Sequence, residues 1–229
     1  MTLTINPLGD NPQQPGIYAE TYLPDQLVAG RFQLVTTNIT LGAGTLQRGT
    51  VLGQQTLGAA ASVAGKPAGG ANTGNGTISA VALEANAAVG QYVITMTGAT
   101  TFTVESPDGA QLADGDAGVA YSDRLGFTIT AGGTAFVAGD GFTVTVAAGS
   151  GNYIESVATA TDGSQVPSAI LADYADASGA PVVAPAYLTG EFNQDKIAFD
   201  ASWSVATLTA PLRQRSIFLK SFVSAADPT

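Results

Sequence analysis

Short runs of alternating apolar and polar residues, separated by glycine-rich turns, recur along most of this chain. The first of them, at 32–35, 39–41 and 46–52, surround a turn at Gly42-Ala43-Gly44. Alternation with a period of two is typical of strands that bury one face, and glycine supplies the backbone freedom of tight turns. The pattern predicts a compact β domain that begins near residue 30.

A second group of strands is predicted beyond residues 58–76, a segment of small residues that we interpret as a flexible linker. The turns that separate these strands are spaced as in a small β-sandwich. The predicted strands of this group are 77–83, 91–97, 101–105, 126–130 and 141–146. The pattern therefore indicates a second module after the first β domain.

The first domain resumes after this module, because strand-like patterning returns at Tyr153. If 51–55 and 153–158 are neighbouring strands, the chain leaves and re-enters the domain at one place. We therefore predict a mainly β protein with a discontinuous domain, 30–70 and 151–229, and a β-sandwich-like module, 71–150, inserted in a hairpin loop.

The two ends of the chain have different patterns. Residues 1–29 contain four prolines and no stable apolar period, which favours an extended arm. Near the other end, 205–213 is a candidate helix that starts or stops near Pro211, and 217–223 is a candidate final strand.

Composition removes most catalytic chemistry and several classes of partner. The 229 residues include no cysteine and no histidine, which excludes disulfides, thiolate metal sites and histidine bases. A net charge of −10 has the wrong sign for binding nucleic acid. The first residues lack a secretion signal and no stretch is long enough to span a membrane, so we expect a soluble protein made in the cytoplasm, without a membrane partner. We also expect no cofactor.

Several isolated motifs invite a chemical interpretation but are incomplete. Gly65-Lys66 precedes Pro67, where a phosphate loop needs Ser or Thr. The acidic turns at 107–109 and 114–116 lack the ligand ladder of a calcium loop. Glu191 and Asp195 could be a carboxylate pair, but we favour a structural polar residue in a turn for Glu191, because the sequence places neither a sugar-binding aromatic cluster nor a second acid beside it.

Four segments carry a family resemblance, in order and with matching spacing. They are LQRGTVLG at 46–53, ATDGSQVPSAILA at 160–172, YLTGEFNQDKI at 187–197 and LRQRSIFLK at 212–220. Together they resemble the lambda-type head decoration family of tailed phages and prophages. The module at 71–150 departs from the compact members of that family.

The resemblance implies a non-enzymatic virion protein with a β-clip-like domain. Members bind the outer surface of the mature head as trimers at three-fold positions and stabilise the shell against the pressure of packaged DNA. The implied partners are the major capsid protein and other copies of the chain. The arm resembles the capsid-clasping arm of these relatives.

Two sets of residues are candidates for these contacts. Apolar residues in an otherwise polar arm often mark a segment that orders on a partner. The arm candidates are Leu3, Ile5, Tyr18, Tyr22 and Leu23. Trp203, the only tryptophan, is a candidate packing or trimer contact, and Arg213, Arg215 and Lys220 are candidate capsid or subunit contacts.

Two other function classes remain open at this point. The inserted module could display a surface that binds a host carbohydrate, although few aromatic residues are available for stacking on a sugar. A glycan-cleaving enzyme would need an acid-base pair in a cleft, and the sequence indicates none.

Overall fold

The computed structural model describes residues 26–84 and 86–221, and it is mostly β. One helix, α1 (Val205–Gln214), occurs in this part of the chain, between the last two strands. The strands are β1 (Val35–Leu41), β2 (Thr45–Leu46), β3 (Val51–Gln54), β4 (Leu57–Ala64), β5 (Thr77–Ile78), β6 (Ala82–Leu83), β7 (Gly90–Met96), β8 (Thr101–Glu105), β9 (Gly115–Asp116), β10 (Ala120–Ser122), β11 (Leu125–Thr130), β12 (Gly141–Ala148), β13 (Tyr153–Glu155), β14 (Pro167–Leu171), β15 (Ala175–Asp176), β16 (Val182–Asn193) and β17 (Ile217–Lys220).

Five strands close into a barrel in the order β1, β13, β3, β14 and β16, since β16 also pairs with β1. The predicted neighbours around 51–55 and 153–158 are confirmed: β3 and β13 are antiparallel, with Tyr153 opposite Gln54. The end of β16 extends beyond the barrel and pairs in parallel with β17, where Gly190 is opposite Ile217. The final strand thus ends at Lys220, within the predicted range 217–223.

Alternating side chains of the barrel strands enter two different cores. Leu52 and Leu171 face one cluster inside the barrel. Their neighbours Val51 and Ile170 face a second cluster, which they share with Leu208 of α1 and which we call the outer cluster. Side chains of consecutive strand residues point to opposite faces, so one pair of strands supports both cores.

Helix α1 closes the outer cluster and confirms the helix predicted at 205–213. Ser204 is its N-cap, and it forms a reciprocal capping box with Thr207. The helix continues through Pro211, so the expectation that it starts or stops there is wrong. A proline inside a helix costs one backbone hydrogen bond, and the burial of Leu208 and Leu212 on the outer cluster offsets that loss.

Strands β4 to β12 form two sheets that share one core, and we call them together the two-sheet part. The first sheet has the order β4, β12, β7, β8 and β9, and the second contains β10, β11 and β5, with β6 also paired to β11. Tyr92, Phe102, Phe127 and Phe142 are buried in the common core. The predicted strand at 101–105 is confirmed, whereas 77–83 is divided into β5 and β6.

The interpretation of 58–76 as a flexible linker is wrong for its first part. Residues 57–64 form β4, which pairs with β12 from Leu57 opposite Ala148 to Ala64 opposite Phe142. The segment is rich in alanine and serine, as flexible linkers are, but the backbone hydrogen bonds of a strand pair do not require large side chains. The module boundaries predicted at 70 and 151 stay a prediction.

Asp140 fixes the second part of the same segment. Its carboxylate accepts hydrogen bonds from the N–H groups of Thr73 (2.8 Å), Gly74 (2.9 Å) and Val137 (3.1 Å). Burial favours the protonated form, but these donors and the nearby Lys66 outweigh it and lower the pKa of Asp140 to about 2.

The chain crosses between the barrel and the two-sheet part through hydrogen-bonded segments. The N–H of Gln55 donates to the carbonyl of Asn152, and the N–H of Gly149 donates to that of Thr56, both at 2.9 Å. A third segment contributes the carbonyl of Asp162, which accepts the N–H of Leu57 at 2.9 Å. The two crossing strands are therefore held side by side.

Candidate functional site

The described chain begins by running along the end of β16, and we call residues 26–32 with their contacts the arm root. Leu27 is buried in the outer cluster and accepts a hydrogen bond from the N–H of Asn193 (2.8 Å). The N–H of Ala29 donates to the carbonyl of Glu191 (2.9 Å). The segment is therefore attached to the sheet by backbone bonds on both sides of Val28.

The Glu191 side chain connects the arm root to β17. Its Oε2 accepts the N–H of Arg31 (2.8 Å) and that of Phe32 (3.2 Å). Its Oε1 lies 2.6 Å from Nζ of Lys220. The hydrogen bond from Lys220 and those from the two N–H groups lower the pKa of Glu191 below its ordinary value, so the carboxylate stays charged. A side chain at Gly30 would overlap with this carboxylate, which explains the glycine there.

An aromatic pair borders the carboxylate. The rings of Phe32 and Phe218 meet edge to face with centroids 5.2 Å apart. Phe32 remains 43% exposed, and the neighbouring Leu34 and Val35 are 39% and 42% exposed. The arm root therefore combines a satisfied ion pair with an apolar edge that is open to solvent.

The predicted contact residues are distributed unevenly around this site. Lys220 is part of the arm root through Glu191. Trp203 is half-buried against the outer cluster, and its indole N–H is buried with no partner among the described residues. Arg213 and Arg215 are exposed at the other end of α1. The arm candidates Leu3, Ile5, Tyr18, Tyr22 and Leu23 lie outside the described residues, and contact with a partner stays a prediction for all of these positions.

The sequence did not reveal the role of Glu191. We expected a polar residue in a turn, whereas Glu191 lies in β16 and Asp195 lies in the turn that follows. The partners of Glu191 are about 160 residues away at Arg31 and 29 residues away at Lys220. These contacts form through the parallel pairing of β16 with β17 and through the distant arm root, so the sequence around Glu191 contains no signal of them.

The weaker sequence candidates acquire structural partners. Lys66 contacts Asp140, and Asp108 accepts a hydrogen bond from Ser106 and contacts Arg124 at 3.5 Å. Within 26–84 and 86–221, no three acidic residues are grouped so that they could hold a metal ion. In the same residues, no helix has the length and apolar character of a membrane span.

Comparison with known families decides the relationship. The model of the bacteriophage lambda head decoration protein D family matches residues 17–217. The chain belongs to this family. It is a structural, non-enzymatic family whose members are located on the phage head.

Other comparisons add little to this result. No curated protein matches the chain. Two crystal forms of Xanthomonas campestris FlgL are 20% identical with a TM-score of 0.31. The matches cover 44% and 43% of this chain and 33% and 31% of the FlgL chains, so the chain spans about a third of their length. A likeness at this level carries no argument about this head decoration protein.

Proposed function

We propose that the protein binds the outer surface of the mature phage head as a homotrimer at three-fold positions. There it stabilises the shell against the internal pressure of packaged DNA. The major capsid protein is the binding partner, and no chemical reaction is involved.

The arm root is the observation that carries this proposal. Residues 1–25 directly precede a segment that the Glu191 side chain and the carbonyl of Leu27 attach to the end of β16, and Lys220 pairs with Glu191. A force applied to a bound arm would therefore be transmitted to β16 through these hydrogen bonds. Phe32, the last residue of the arm root, and Leu34, two residues beyond it, supply exposed apolar surface.

The mechanism is thermodynamic linkage. A subunit that binds the assembled lattice, and not its dissociated parts, shifts the equilibrium toward the lattice by mass action. Three arms on one trimer act together, so the trimer binds more tightly than any single arm. Closed three-fold symmetry of the protein suits a three-fold position of the shell.

Deletion of residues 2–23 tests the role of the arm. The variant should remain folded, as measured by circular dichroism, because the deletion leaves the arm root and the residues of the three buried clusters in place. It should no longer sediment with expanded heads or raise their melting temperature. Undiminished co-sedimentation would contradict the proposal.

A further inference from the structure

A pocket of about 570 Å³ lies between the barrel and the two-sheet part. Leu57 of β4 lines one side, while Tyr153, Gln165 and Ser168 line the barrel side. Arg215, just after α1, completes the wall. Pockets of this size between two parts of a protein are frequent ligand sites.

The charge of this pocket is opposite to that of the protein. Arg215 is the only charged residue in its lining. Within the described residues, the guanidinium of Arg215 forms no ion pair, whereas Lys66, Arg124 and Lys220 each contact a carboxylate. The chain has 18 acidic and 8 basic residues, yet the lining of this pocket contains no acidic residue.

Neutral hydrogen-bond donors accompany the arginine. The side-chain oxygen of Gln165 accepts the N–H of Gly163 (2.8 Å), which leaves the amide NH₂ group of Gln165 to donate elsewhere. The Tyr153 hydroxyl also has no hydrogen-bond partner among the described residues. A guanidinium fork and neutral donors that line the same pocket suit the oxygens of a carboxylate.

We propose that this pocket receives an acidic side chain of the capsid protein when the protein docks on the head. The inference rests on the proposed function, and it adds a second contact to the arm. Leu188 of the pocket and Glu191 of the arm root lie on the same strand, β16. Arg215 lies two residues before β17, which carries Lys220. The pocket and the arm root are thus connected through β16 and through the segment that leads into β17.

Two substitutions with the same change of charge test the pocket: Arg215→Gln and Lys196→Gln. Lys196 is exposed in the turn after β16 and does not line the pocket. Binding to expanded heads is measured by co-sedimentation at low and moderate salt, with circular dichroism as the check of folding. Loss of a charge-assisted pair should weaken binding of Arg215→Gln about tenfold or more, with a reduced dependence on salt. Lys196→Gln should bind like the wild type.

The outcomes separate this inference from the proposed function. If the wild type does not bind heads, the proposed function fails. If the wild type binds and Arg215→Gln binds equally well, the arm account survives and the pocket proposal is overturned. Equal weakening by both substitutions would show a general charge effect and would also overturn it.

A second probe is a blocked glutamate, N-acetylglutamate methylamide, which should shift the NMR signals of Tyr153 in the wild type and not in Arg215→Gln. Absence of a shift at millimolar probe would count against a carboxylate site.

Discussion

Asp140 is a buried carboxylate that accepts three backbone N–H groups from two loops of the two-sheet part. Replacement by asparagine keeps the size of the side chain but removes the charge and one acceptor. We expect Asp140→Asn to lower the melting temperature and to speed amide hydrogen exchange at Thr73 and Gly74. The matched control is Asp173→Asn, at an exposed position, which should change neither measurement.

The same residue predicts a dependence on pH. The pKa of Asp140 is about 2 in the folded protein against an ordinary value of 3.8. A carboxylate with a depressed pKa contributes stability above its unfolded pKa, and that contribution is lost as the pH falls through the folded value. The difference in melting temperature between wild type and Asp140→Asn should therefore be full above about pH 5 and shrink toward pH 2. A difference that is constant over this range would contradict the ionised role of Asp140.

Glu191 is the corresponding residue of the arm root. Glu191→Ala removes the acceptor of two backbone N–H groups and the partner of Lys220. We expect trypsin to cleave after Arg31 faster in this variant, because cleavage requires the segment to leave the sheet. Cleavage after Arg48 should keep the wild-type rate. Asp195→Ala, in the adjacent turn, serves as the control, and equal cleavage rates in all three proteins would contradict the role of Glu191.

At the scale of single elements, helix α1 offers a defined test. Ser204 caps the helix by accepting the N–H of Thr207 at 3.2 Å. Loss of an N-cap of this kind costs about 1 kcal/mol, so Ser204→Ala should reduce the free energy of unfolding by about that amount in urea titrations. Gln214→Ala, exposed in the last turn of the same helix, should leave it nearly unchanged. Equal effects of the two substitutions would contradict the cap.

Elements with a clear period were predictable from the sequence, and those without one were not. β8 was predicted at its exact bounds because Phe102 and Val104 alternate with polar residues. β4 has no such alternation, because most of its residues are alanine, glycine or serine, and its partner β12 lies about 80 residues away in the sequence. The helix was found from its pattern, but its passage through Pro211 depends on the burial of Leu208 and Leu212, which is a tertiary effect.

At the scale of the whole molecule, the sequence predicts contacts between distant segments only where the alternating pattern of one domain is interrupted and later continues. That signal identified β3 and β13 as neighbours. It could not identify Glu191 and Lys220 as partners, because their contact depends on the register of β16 and β17. The pocket beside Arg215 is likewise lined by residues from six separate segments and has no sequence signature.

The two-sheet part should be dispensable for head binding. Since β4 pairs with β12, its replacement must include both strands, and residues 57–148 are the appropriate range. The flanking Thr56 and Gly149 are joined by a 2.9 Å backbone hydrogen bond, so a short Gly-Ser turn can connect them. The shortened protein should fold by circular dichroism and bind heads at least through its arm. Loss of all head binding in a folded variant would show that the two-sheet part is essential to the capsid contact.

The central claim is that the protein occupies three-fold positions on the outside of the head. Cryo-electron microscopy of expanded heads incubated with the protein tests it most directly, with heads without the protein as the reference. The account predicts additional density for three subunits around each three-fold and quasi-three-fold position, with β16 and the arm root directed toward the shell. Heads without added density, or with single subunits or dimers at other positions, would contradict it.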